Sequence, residues 1–387
     1  MRNFEFHCDT KIIFGKDTEA LVVDEIKQYG NKVLLVYYDV IKQIGLYDKV
    51  VGYLKEAGIE FVELSGVVPN PRLSLVKEGI ELCRRENVDL ILAVGGGSVI
   101  DTAKAIGMGV PYEGDVWDFF LRKAEVKETL PVGVILTVAA AGSETSNCSV
   151  ITNEETNLKR AFISPLIRPK FSILNPELLY TVPAYHTAAG GVDAMSHIME
   201  KYFTSDVDVD LTDRLSEATL RTIIKYLPKV LEKPDDYNAR AQILWASTMA
   251  QNGILGVGRG SDGCCHAIAG EVTGLYDTIH GATLAIVTPA WMKYVFDANI
   301  PRFAQFAVRV WDVEPDFNDL RATALEGIRR TEEFFKSVGM PVRLSEVGIP
   351  EEALEVIAER SGARTPIGAI KTLEVPDVLE ILKLAYK

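Results

Sequence analysis

The chain has 387 residues, 48 % of them hydrophobic, and carries a net charge of −13 from 54 acidic against 41 basic side chains. That length and balance suit two ordinary globular domains whose cores need no covalent staples. The acidic surplus, with no lysine- or arginine-rich block to offset it, argues against a nucleic-acid partner, which would demand a basic stripe.

From the N-terminus, residues 1–17 alternate polar and apolar and predict a strand rather than a signal peptide. No apolar run approaches the roughly 20 residues that span a bilayer, so no membrane partner is expected. Cys8, Cys83, Cys148, Cys264 and Cys265 are odd in number and lack C-x-x-C spacing. They point to a reducing, cytoplasmic setting. Short aliphatic runs at Val33–Tyr38, Phe61–Leu64, Leu90–Val94 and Val132–Thr137 predict strands, and Leu73–Glu86 has helical periodicity. Strands alternating with helices imply a mostly parallel α/β sheet over residues 1–180. Near Tyr180–Pro183 the pattern turns helical. Asp210–Tyr226, Ala239–Ala250 and Phe317–Val338 repeat apolar residues at helical spacing, which predicts an all-α domain over 181–387.

Within the first domain, the strand Leu90–Val94 runs into Gly95, Gly96 and Gly97, and a helix follows. Three glycines let main-chain N–H groups approach a bulky anion, and the helix start favours phosphate. Ser98 and Asp101 form an S-x-x-D pair that predicts a helix cap. A tight turn without ligand is the plain alternative. Asp39 ends the strand Val33–Tyr38, where a carboxylate accepts hydrogen bonds from an adenosine ribose and repels a 2′-phosphate. A helix cap or a solvated carboxylate is the alternative there.

In the second domain, Asp193 and His197 are four apart and share a helix face among Ala194, Met195, Ile198 and Met199. A buried, unpaired carboxylate is costly, which makes a cation a plausible partner. His266 and His280 lie in another mostly apolar stretch, so three of the chain's five histidines fall in two motifs. Each alone is more simply a hydrogen-bonded core or surface residue. Together, one carboxylate and three imidazoles suit Fe²⁺ or Zn²⁺ and not Mg²⁺ or Ca²⁺.

These motifs, taken in order, resemble the iron-containing alcohol dehydrogenases, in particular the branch of butanol dehydrogenases and aldehyde reductases. The resemblance rests on KIIFGKD at Lys11–Asp17, GGGS-x-x-D-x-A-K at Gly95–Lys104, GSE at Gly142–Glu144, NPEL at Asn175–Leu178, GGVDAMSH at Gly190–His197 and H-x13-HG at His266–Gly281. It implies a dehydroquinate synthase-like fold, an α/β dinucleotide-binding domain followed by an all-α metal-binding domain. It implies one divalent metal on Asp193, His197, His266 and His280. It also implies NAD(H), with NADP(H) as the alternative, held by Asp39, Gly95, Gly96, Gly97, Ser98, Asp101, Thr137, Val138, Ser146, Asn147, Lys159 and Leu178. A small alcohol or aldehyde substrate and a homodimer follow by the same resemblance. The chain departs from the family pattern at Val138 and Ala141, where hydroxyls are usual, and at Gly270, where many relatives carry a histidine that assists proton transfer. Two rivals are a glycerol dehydrogenase-like polyol oxidoreductase and a weakly active dinucleotide- or metal-binding protein. Gly270 is the latter's best support.

Overall fold

The computed structural model describes residues 1–362 and 366–387. They form two compact units, one of Cys8–Val182, the other of Pro183–Lys387 with Met1–His7.

The first unit is built on eight strands: β1 (Lys11–Phe14), β2 (Lys32–Tyr37), β3 (Glu60–Leu64), β4 (Leu90–Gly95), β5 (Val132–Leu136), β6 (Cys148–Asn153), β7 (Leu158–Ile163) and β8 (Phe171–Leu174). Six make one wholly parallel sheet in the order β1-β8-β5-β4-β2-β3. β6 and β7 form a separate antiparallel hairpin. Every residue of β4 and β5 is buried, as a parallel strand covered on both faces requires, which is why each reads as an unbroken apolar run. Along the chain run α1 (Val22–Ile26), α2 (Val40–Gln43), α3 (Leu46–Glu56), α4 (Leu73–Glu86), α5 (Gly97–Gly109) and α6 (Trp117–Phe120). Val22, Ile26, Ile41, Leu46, Val50 and Leu54 of the first three pack on one face of the sheet, against Val33, Leu35, Leu92 and Val94. α4 and α5 pack on each other closely enough that a Cβ at Gly79 would strike Ile106.

From β2 the chain moves outward to β3; it then crosses back to β4 and continues the other way to β5. Right-handed crossovers in opposite directions place their helices on opposite faces. A crevice therefore opens at the carboxyl ends of β2 and β4, the usual ligand position in such sheets. Asp39 and the three glycines lie at those two strand ends.

Residues 1–10 form no strand, against the expectation from their alternation. The ladder of β1 begins only at Lys11, because its neighbour β8 is preceded by Pro169 and the short turn Pro165–Ile167 and offers no further partner. The Arg2 N–H donates instead to the Gly258 carbonyl, and Met1–His7 belong to the helical unit.

That unit consists of α7 (Ala184–Tyr202), α8 (Asp210–Glu232), α9 (Tyr237–Gln251), α10 (Cys264–Tyr276), α11 (His280–Val295), α12 (Ile300–Trp311), α13 (Leu320–Ser337), α14 (Ala353–Gly362) and α15 (Val375–Tyr386). α7 and α11 lie at its centre and are buried almost all round. They approach so closely that a Cβ at Gly281 would collide with the Ala189 carbonyl. No described helix is long and apolar enough to cross a membrane.

Candidate functional site

α7 sets Asp193, His197 and Glu200 on one stripe, at i, i+4 and i+7. α10 supplies His266, and after a break at Asp277, in left-handed backbone, α11 opens with His280. One ligand atom from each of Asp193, His266 and His280 lies within 4.8 Å of the others. Asp193 Oδ1 and His266 Nε2 are buried, 3.6 Å apart, and without a hydrogen-bond partner. With His266 neutral and its proton on Nδ1, two acceptor atoms face each other here, a costly arrangement that a shared cation, whether proton or metal, relieves, so the residues present fit a divalent metal. His197 falls outside that mutual set. Its Nε2 lies 3.4 Å from Asp193 Oδ1, and its ring stacks on His266 at 3.9 Å between centroids.

Sequence reasoning missed the groups behind these ligands. Glu200 Oε2 accepts from His266 Nδ1 at 2.6 Å, and Glu200 Oε1 accepts from the His266 backbone N–H at 3.0 Å. The carboxylate only accepts, so it fixes the ring proton on Nδ1 and aims Nε2 at Asp193. Burial alone would lower the His266 pKa, but the Glu200 and Asp193 carboxylates outweigh it and push it up to about 9. Burial, then the neighbouring His266, Lys201 and His280, hold His197 well below its ordinary value. It is a neutral imidazole, the form that binds metals. Gln251 Nε2 lies 2.8 Å from His197 Nδ1, and Lys201 Nζ donates to Gln251 Oε1 at 2.8 Å. The spacing of Glu200 from Asp193 was a readable signal; Gln251 comes from α9 and left none.

In the sheet unit, α5 starts at Gly97, with Gly96 as its cap residue and no side-chain cap bond. The expected Ser98–Asp101 cap does not form. The helix begins before Ser98, and Asp101 is committed elsewhere: Oδ1 accepts from Ser143 Oγ at 2.6 Å and Oδ2 from the Val150 N–H at 3.1 Å. At Gly97 a Cβ would enter open space, whereas at Gly95 it would strike Val99. The open side of Gly97, beside the unbonded first-turn N–H groups of a helix, fits a phosphate. Thr137 joins the strand ends: its N–H donates to Gly95 O at 3.1 Å, and its hydroxyl meets Tyr38 Oη at 3.1 Å. Val138 packs on Gly96. Ser146 faces inward toward Lys104, and the Asn147 carbonyl accepts from Ser164 N–H. Buried Lys159 donates to Asn70 Oδ1 at 2.9 Å. Leu178 packs at the margin of the sheet core. Asp39 is exposed and paired with Lys42 at 3.2 Å.

The geometry has counterparts among known proteins. Residues 9–176 match the family model for iron-containing alcohol dehydrogenase, and residues 187–386 match that for the C-terminal part of the Fe-containing alcohol dehydrogenase family. The chain is 44 % identical, over the full length of both, to NADH-dependent butanol dehydrogenase A of Clostridium acetobutylicum. It is 35 % identical to the NADPH-dependent aldehyde reductase YqhD of Escherichia coli, across 93 % of each chain. The crystal structure of NADH-dependent butanol dehydrogenase A from Thermotoga maritima superposes with a TM-score of 0.96 at 44 % identity, covering 100 % of this chain and 99 % of that one. With both halves matched in order and relatives this similar from end to end, the chain belongs to the iron-containing alcohol dehydrogenase family.

Proposed function

We propose that this enzyme interconverts a small primary alcohol and its aldehyde with NAD(H), using one divalent metal, Fe²⁺ or Zn²⁺, on Asp193, His266 and His280 with His197 beside them. The observation that carries this reading is the buried, partnerless pair Asp193 Oδ1 and His266 Nε2 within a three-residue ligand cluster. It is supported by the names of relatives that use NADH or NADPH on butanol or aldehydes. A bound divalent ion supplies Lewis-acid polarisation of an alcohol or carbonyl oxygen, and the dinucleotide carries the hydride.

The chain's own residues do the positioning. Glu200 orients His266, burial keeps His197 neutral, and the open face at Gly97 with the first turn of α5 receives the pyrophosphate. Gly270 has no side chain to move a proton, so the alcohol proton exchanges with solvent or a neighbouring hydroxyl. Asp39 favours NAD(H) over NADP(H) by repelling a 2′-phosphate. The assembly proposed with this activity is a homodimer in a reducing cytoplasm, where the five free thiols persist.

The test is anaerobic reconstitution with Fe²⁺ or Zn²⁺ and NADH oxidation on a panel of short aldehydes. Turnover that needs the metal is expected, with most metal and activity lost in His280→Ala. A His280→Ala protein with full metal content and rate sinks the assignment.

A further inference from the structure

Lys104 lies on α5, two turns after the glycine turn, and is 0 % exposed. A lysine so placed has no route to water, and its charge must be met by protein. Five acceptors surround Nζ: Ser143 O at 2.7 Å, Ser143 Oγ at 2.9 Å, Ser146 O at 3.0 Å, Ser146 Oγ at 3.2 Å and Cys148 O at 2.8 Å. All come from one short stretch, 143–148. The carboxylate of Asp101, one turn earlier, accepts hydrogen bonds from the Ser143 hydroxyl and the Val150 N–H, and its backbone carbonyl accepts from Ser149 Oγ. The stretch is coiled around these two side chains. It starts from Gly142 in left-handed backbone (φ 65°), whose carbonyl accepts the N–H groups of Thr145 and Ser146.

We infer that Lys104 is a positioning residue for the dinucleotide, its ammonium gathering the carbonyls of Ser143, Ser146 and Cys148 so that the strip 137–147 is held on the same helix that presents Gly97. Three carbonyl dipoles converge on one point, and without a cation there they repel one another and lose their partner. No other described cation donates a hydrogen bond to those three carbonyls. The glycine turn and the strip would then move independently, and a ligand touching both would lose a preorganised site. This inference rests on the dinucleotide reading above and adds the group that shapes the site.

The experiment is titration of the full-length, metal-loaded protein with NADH, followed by nucleotide fluorescence, with steady-state kinetics alongside. The wild type is measured first. A wild type that does not bind NADH overturns the dinucleotide reading itself and, with it, this inference. Lys104→Met keeps the length of the side chain and removes the charge. It should weaken NADH binding by about tenfold or more, with KM for NADH rising by more than kcat falls. Ser143→Ala, which removes one hydroxyl shared by Lys104 and Asp101, should weaken it by about threefold. A folded Lys104→Met protein with NADH affinity within about twofold of wild type overturns the inference. So does a fall in kcat at constant KM, the mark of a merely destabilised enzyme. Should Lys104→Met fail to fold, Ser143→Ala decides, and an unchanged affinity there overturns it equally.

Discussion

Glu200 is the most direct handle on the proposed metal centre, because it touches His266 twice. Glu200→Gln keeps the volume of the side chain but exchanges one acceptor oxygen for an NH₂ group. Of the two contacts, 2.6 Å to His266 Nδ1 and 3.0 Å to the His266 backbone N–H, only one can then be satisfied while the ring proton stays on Nδ1 and leaves Nε2 free for a metal. The other sets donor against donor in a buried place. Losing one charge-assisted bond costs about 1.5–3 kcal/mol. Spread over ring orientation and ligand basicity, that corresponds to roughly 10- to 100-fold in metal affinity. The assay is anaerobic chelator competition with Zn²⁺ and Fe²⁺ on the full-length protein, with circular dichroism as the check on folding. A folded Glu200→Gln protein that holds metal within about threefold of wild type would refute the reasoning, since orientation of His266 would then owe nothing to the carboxylate.

Gly97→Ala places a methyl group in open space, so thermal stability should hold while NADH affinity falls by about tenfold or more; equal binding by both proteins would show that no phosphate sits there. Asp39→Gly should raise the NADPH-to-NADH rate ratio, because it removes a carboxylate and frees the Lys42 ammonium, now 3.2 Å from Asp39 and lying over the Tyr37 ring; an unchanged ratio means that Asp39 does not meet the ribose. Burial pulls Lys104 down to about 8, against the Asp101 carboxylate. The unfolded chain therefore binds the extra proton between pH 8 and 10.5, and stability should rise with pH across that window. Urea unfolding of the wild type relative to Lys104→Met should show a gain of up to about 3 kcal/mol there, and a flat difference would contradict it.

The fold was most legible where burial leaves one solution. Leu73–Glu86 emerges as the helix expected, and the four aliphatic runs are β2 to β5. Periodicity undershot α8, which was expected to end at Tyr226. The helix continues through Pro228 to Glu232, because Leu227 and Val230 are wholly buried and burial of two such side chains offsets the roughly 3 kcal/mol that an internal proline costs. The hairpin of β6 and β7 was missed, since it lies outside the parallel alternation and its second strand is largely unburied. The motifs that supply Asp193, His197, His266 and His280 stood out because histidine is scarce in this chain. The residues that orient them were not, as Gln251 reaches His197 from fifty-four positions away. Lys104 left a signal that went unused. Val99, Ile100, Ala103, Ala105 and Ile106 around it are all buried, so α5 has no polar face along which a lysine could reach solvent.

The helical unit shows how the proposed metal centre is held together. A carboxylate and an imidazole held apart from any partner would ordinarily be relieved by a small rotation of either ring or chain, since each unmade bond costs about 1–3 kcal/mol. Here the surroundings constrain both. His266 is gripped through Nδ1 and its backbone N–H by Glu200, and Asp193 sits on a helix buried on nearly every side. Gly281, next to His280, lies against the Ala189 carbonyl, four residues before Asp193, so a close approach of α7 and α11 also brings His280 within range of Asp193. The packing of α7, α10 and α11 therefore leaves Asp193 Oδ1 and His266 Nε2 buried and without a hydrogen-bond partner, while the His266 and His280 rings stay partly exposed.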